Sequence, residues 1–451
     1  TRPMCHKSEG PPMNDICFIN ANVIDGTGRD PQPNTWVNIS RGRIMGSGTG
    51  APPHSERVID CAGRTLMPGL IDCHTHLAAV DFLNQIDRYS KPVLAAMTLT
   101  NMHQTLLSGF TTVRDAGFTD IGFKRAMQTG VAAGPRMHVA IAPLSQTGGH
   151  SDFRGPEDTA SQSSDGLFHP GLIVDGVAEC RRGAREVLRR GADQIKIMAS
   201  GGCTSPTDDV RHPQFTEDEL FAIVHEARVR DTYVMAHSYT PASILNCMKA
   251  GVRTIEHGND IDEEAAAAVA SAGAFVVPTI ATYEFMARDG AAGGMPQDQI
   301  EMVERVLKSA YTSLEILAAA GAKIGSGSDV LGIHQPLKAH ELEFKARVLG
   351  PMNVLVAATK TNAEILGRGD ELGTIETGKI ADILIVDGDP LEDITVLQHQ
   401  ERLHYVLMDG RIVVSRSPDS QQRIPTSGDV GQEWKTPPFT ASAGKQSTCC
   451  L

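Results

Sequence analysis

"TLMPGLIDCHTHL", Thr65 to Leu77, is an apolar run that ends in His-Thr-His. In a strand, residues i and i+2 share a face, so His74 and His76 project together from its end. An open doubly wound sheet would follow its first strand with a phosphate-binding glycine turn. A strand that stops in paired imidazoles instead favours a closed (β/α)8 barrel, whose chemistry gathers at the C-terminal strand ends.

The following segments keep that rhythm. "TTVRDAG", "RMHVAIAPL", "DQIKIMASGG", "YVMAHS", "RTIEHG", "AFVVPTI" and "AKIGSGSD" read as strands. "TEDELFAIVHEARVR" reads as a helix opened by a capping box, Thr216 with Glu219, and "PASILNCMKAG" as one closed by glycine. Alternating units of this kind imply a parallel sheet, hence an α/β fold. Short strands split by Gly, Asp and Asn turns occur before Leu70 ("CFINANVIDGTG") and again near the other end ("HYVLMDGRIVVS"). They predict a small β-sandwich domain built from 1–67 and 365–415, around a barrel over 68–364. The first dozen residues read as a polar arm, and 416–451 as a tail without apolar periodicity.

Other strand ends carry chemistry too. "YVMAHS" ends in His237, "RTIEHG" in His257 and "IGSGSD" in Asp329. With His74 and His76, this set suits zinc or a similar divalent ion. In "QIKIMAS", Ile195 and Ile197 point one way and Lys196 the other. If the isoleucines meet helices, Lys196 faces the interior, where desolvation favours its neutral amine. A neutral amine can add carbon dioxide to form a carbamate, which can bridge two cations. The plain alternative is an ion pair with Asp193 or another carboxylate.

Together, "GLIDCHTHL", Lys196, His237, His257 and Asp329 resemble the amidohydrolase superfamily. "QTGGHSDF", "MAHSYTPASI" and "GSGSDV" are similar to its metal-dependent dipeptidase and carboxypeptidase branch. The resemblance implies two zinc ions: one held by His74, His76 and Asp329, the second by His237 and His257, with carbamylated Lys196 between them. It implies hydrolysis of an amide bond to a C-terminal amino acid, in an N-acyl amino acid or dipeptide. The most specific expectation is ochratoxin A, cleaved to phenylalanine and the isocoumarin acid. Asp329 would shuttle the proton. His150 would touch the substrate as a second catalytic group, although Ser151 stands where similar proteins often have glycine. Tyr239, Arg211, His212 and His334 are candidates for the substrate carboxylate.

A net charge of −13 argues against nucleic acid or an anionic membrane as a partner. The small-molecule substrate and, on resemblance, further copies of the chain in a homo-oligomer are the expected partners. Nine scattered cysteines point to reduced thiols and a cytoplasmic compartment, while the start at Thr1 leaves secretion open. Two rivals stand beside the hydrolase. A deaminase or cyclic amidase of the same superfamily would release ammonia or open a ring. A non-catalytic barrel scaffold would hold no stoichiometric metal.

Overall fold

The computed structural model describes residues 15–81, 89–162 and 166–416. The expected arm and nearly all of the expected tail lie outside them.

Strands from both ends of the chain share one eight-stranded sheet. Its order is Arg411–Ser415, Leu403–Met408, Ile383–Val386, Thr65–Pro68, Ile16–Val23, Gln32–Ser40 and Arg43–Gly48, with Arg57–Asp60 alongside Ile16–Val23. These strands belong to one hydrogen-bonded ladder, and an isolated antiparallel bridge from Arg43 to Ile380 brings its far edge back toward the segment leading into Ile383–Val386. At the seam, Ile383 pairs with Pro68 and Val386 with Thr65, so the two ends satisfy each other's backbone edge to edge. Period-2 alternation then buries both faces. Phe18, Val37, Leu66 and Ile385 pack on one side. Met67, Leu384 and Val406 pack on the other, against Leu106, Leu342 and Leu355.

The remaining long strands run parallel in two pieces. Leu70–Thr75, Phe110–Asp115 and Arg136–Val139 form the first. Ile195–Met198, Val234–Ser238, Thr254–His257, Phe275–Val277 and Lys323–Ile324 carry the second. Helices alternate with these strands. Glu217–Arg228 begins at the expected capping box, and Pro241–Ala250 ends at Gly251 in the left-handed conformation (φ 83°). Ile195, Ile197, Val234, Ala236 and Ile255 turn outward into the core shared with Leu220, Ile223 and Ile244. Their alternate neighbours must point the other way.

Single backbone bonds cross the seams between the pieces. Asp193 N–H donates to Val139 O at 2.8 Å, Cys73 N–H to Ser326 O at 2.9 Å, and Asp329 N–H to His74 O at 2.8 Å. The strand order and these crossings are consistent with a (β/α)8 barrel. Gly327 makes the last approach possible: a Cβ there would lie 2.5 Å from His74 Cβ and 2.8 Å from His74 N. Among the described residues, no helix is long and apolar enough to cross a membrane. The described cysteines are free and buried.

Candidate metal centre

His74, His76, His150, Lys196, His237, His257 and Asp329 line one pocket at the strand ends. Register does part of the work, since Met198 lies opposite His237 and Ser238 opposite His257 on neighbouring strands. Ring centroids of His74 and His257 are 4.9 Å apart, and those of His237 and His257 4.5 Å. The His76 and His74 Nε2 atoms sit 3.4 and 3.7 Å from Asp329 Oδ1.

Two of these residues need unusual backbone. Glu256 points inward, so alternation alone would turn His257 out toward the helices. A left-handed φ of 73° at His257 brings the ring back to the pocket. Asp329 is also left-handed, at φ 53°. Each costs roughly 1–2 kcal/mol relative to ordinary backbone, and such strain concentrates at functional sites.

Every imidazole of the group has one nitrogen engaged outside the centre. His74 Nδ1–H donates to Glu256 Oε2 at 2.7 Å, and His76 Nδ1–H to Gly117 O at 3.1 Å. His237 donates through Nε2 to Gly201 O at 3.2 Å, while His257 Nδ1 shares a 2.8 Å bond with Thr279 Oγ1. Such outer partners set the tautomer of ligating histidines and leave the opposite nitrogen as the lone-pair donor. His74, His257 and Asp329 have ligand atoms within 4.8 Å of one another. This triple cuts across the expected division into His74/His76/Asp329 and His237/His257.

Lys196 is 1% exposed, with no hydrogen bond or ion pair to any described residue. Asp193, its plain alternative partner, is held by Lys124 at 2.6 and 2.7 Å. Burial lowers the Lys196 ammonium to about 8, opposed by the charges of Glu256 and Asp329. Burial also depresses all four imidazoles, with Lys196 adding to it, and takes His76 to about 3. It raises the Asp329 carboxyl to about 7 against the pull of Lys196. Neutral imidazoles, a carboxylate and an uncompensated buried amine form a donor set that fits divalent cations.

The surrounding wall sets Phe118, Phe153, Met286 and Leu331 beside the polar Thr204 and Thr282. His150 stacks on His237 at 4.3 Å and meets Ser205 Oγ at 3.0 Å. Tyr239 lines the pocket with its hydroxyl 2.5 Å from that of Tyr283. Ser151 is buried in the same wall, its hydroxyl without a hydrogen-bond partner among the described residues.

Three expected substrate contacts lie off the pocket wall. Arg211 and His212 are exposed and do not line the pocket. Their loop folds back, with Gly201 N–H donating to His212 O and His212 N–H to Asp209 O, while Asp209 takes the Arg211 guanidinium at 2.9 Å. His334 is buried elsewhere: Nε2 meets Asp289 Oδ2 at 2.8 Å, and the ring stacks on Phe285. Sequence reading passed over Glu256, Arg114 and Asp72. Each is a charge inside a short buried strand ("RTIEHG", "TTVRDAG", "GLIDCH"), and a buried charge demands a partner.

The chain belongs to the amidohydrolase family, whose profile matches residues 65–413, and it is a hydrolytic enzyme. Among curated proteins it is 31% identical to the ochratoxinase of Aspergillus niger over 418 residues, covering 88% of this chain and 86% of that protein. Among solved structures it is similar to a prolidase complexed with N-methylphosphonate-L-proline (TM-score 0.86, 41% identity, 89% of this chain and 100% of that one). A Xaa-Pro dipeptidase with methionine bound in its active site is also similar (TM-score 0.81, 28% identity, 88% and 99%).

Proposed function

We propose that this enzyme is a binuclear zinc hydrolase that cleaves the amide bond to a C-terminal amino acid, on a closed (β/α)8 barrel. The observation that carries the reading is Lys196: a buried amine that makes no hydrogen bond or ion pair among the described residues, in one pocket with four neutral imidazoles and Asp329. As an ammonium it would be a costly isolated charge. As a neutral amine it can add carbon dioxide, lose a proton and become an anionic carbamate suited to two cations. His74, His76 and Asp329 would hold one ion, and His237 and His257 the other. Two zinc ions there would acidify the attacking water and polarise the scissile carbonyl.

The chain's own groups supply the rest. The Asp329 carboxylate takes a proton from the attacking water and returns it to the departing nitrogen, which leaves as an amine rather than an amide anion. His150 and Tyr239 orient the substrate carbonyl or carboxylate, and the apolar wall takes the acyl side. Similarity to a prolidase at 41% identity makes dipeptides ending in proline one substrate class, and similarity to an ochratoxinase makes ochratoxin A another. A homo-oligomer completes the proposal.

The test is a hydrolysis screen with zinc-loaded protein on Xaa-Pro dipeptides, N-acyl amino acids and ochratoxin A, scored by free amino acid. Release of proline or phenylalanine is expected. Loaded, folded protein that frees no amino acid from any of them would sink the reading.

A further inference from the structure

Arg114, Glu256 and His74 come from three different strands and meet beneath the pocket, fully shielded from solvent. Arg114 and Glu256 are 0% exposed and His74 1%. Arg114 donates through one terminal nitrogen to both Glu256 oxygens, at 2.8 and 2.9 Å. Its other terminal nitrogen reaches Thr254 Oγ1 at 3.0 Å, and its Nε reaches Cys73 O at 2.6 Å. Thr254 Oγ1 also donates to Glu256 Oε1 at 2.6 Å. Glu256 Oε2 then accepts from His74 Nδ1 at 2.7 Å. The guanidinium thus grips the carboxylate and also the backbone carbonyl immediately before His74.

We propose that Glu256, clamped by Arg114, is the positioning residue for His74, fixing its proton on Nδ1 and holding Nε2 toward the pocket. The chemistry is directional. A carboxylate only accepts, so the nitrogen facing it must carry the proton, and the remote nitrogen keeps its lone pair. The clamp matters because a buried carboxylate with one weak partner would rotate or neutralise. Held by Arg114 and Thr254, Glu256 has a single orientation to offer. A packing role alone would fill this space equally well with apolar groups of similar volume.

In its metal arm the proposal rests on the hydrolase reading above, so the test has two arms. Glu256→Gln keeps the shape but removes the charge, and the double variant Glu256→Leu/Arg114→Met removes both partners without stranding either charge. The first arm uses metal-free protein labelled with 15N-histidine, the His74 signals being assigned by their loss in His74→Asn. Wild-type protein should show the Nδ1–H tautomer, and the double variant a mixture. The second arm measures zinc release to a chromophoric chelator and the visible spectrum of the cobalt-substituted protein. Both variants should release metal about 10–100-fold faster, with a shifted cobalt spectrum and a fall in kcat larger than any change in KM. An unchanged His74 tautomer in a folded double variant would overturn the positioning role, as would unchanged zinc release there. Failure of the wild-type protein to bind metal would instead count against the hydrolase reading, and the tautomer arm would still judge Glu256.

Discussion

Ser328 donates its backbone N–H and its hydroxyl to the two oxygens of Asp72, at 3.0 and 2.6 Å. Asp72 also accepts the His74 N–H at 3.1 Å, and buried Lys338 lies 3.6 Å from it. One carboxylate therefore ties the loop bearing Asp329 to the strand bearing His74. Asp72→Ala strands several buried donors and should cost about 3–5 kcal/mol in urea unfolding. Ser328→Ala should cost about 1 kcal/mol. An Asp72→Ala protein as stable as wild type would show that the tie does not matter.

Chelation should abolish hydrolysis and lower Tm, because metal binds the folded centre and not the open chain. Zinc should restore both. Elemental analysis of the active protein is expected to give two ions per chain; a catalytically competent protein free of metal would contradict the donor-set argument.

Lys196→Met separates function from stability. Met occupies a similar volume without a buried charge, so the variant should be at least as stable as metal-free wild-type protein. Metal content and turnover should nevertheless collapse. A large drop in Tm with metal retained would mean that Lys196 serves the fold rather than the centre.

Gly202 bears on His150. A Cβ at Gly202 would lie 1.9 Å from the His150 ring, so Gly202→Ala must push that flexible side chain aside. Misplacing a positioned group costs on the order of 10²-fold in kcat/KM. His150→Ala should cause a similar loss, and the double variant should lose little more than either single one, because both act through the same ring. Additive losses would separate the two residues.

Arg211→Ala and His212→Ala should leave kcat/KM within about twofold of wild type, the range of ordinary surface substitutions of about 0.5 kcal/mol. A rise in KM of tenfold or more in either would return that loop to the site.

The His-Thr-His pair and Lys196 were legible in the sequence because strand periodicity alone assigns their faces. Capping at Thr216 and the turn at Gly251 were local too. His257 was legible as a strand-end histidine, but not the left-handed backbone that turns it inward. Arg211, His212 and His334 were misread because a loop's direction depends on contacts with distant segments. Asp289 takes His334 from a distant segment, whereas Asp209 takes Arg211 from only two residues away within the folded-back loop. Arg114 and Glu256 were hidden for the opposite reason: each looks like one polar residue in a strand until three strands are brought together. The pairing of Thr65–Pro68 with Ile383–Val386 depends on which edges meet, a choice that alternation of apolar residues does not encode.

The edge-to-edge seam between Thr65–Pro68 and Ile383–Val386 also sets a timetable. During synthesis the first strands leave the ribosome long before the segment that completes their sheet exists. Until then Thr65–Pro68 offers unpaired N–H and C=O groups, a template that another nascent chain can occupy. Chaperone demand and misassembly should therefore peak while the barrel is being made, and fall once the segment from Ile383 onward docks.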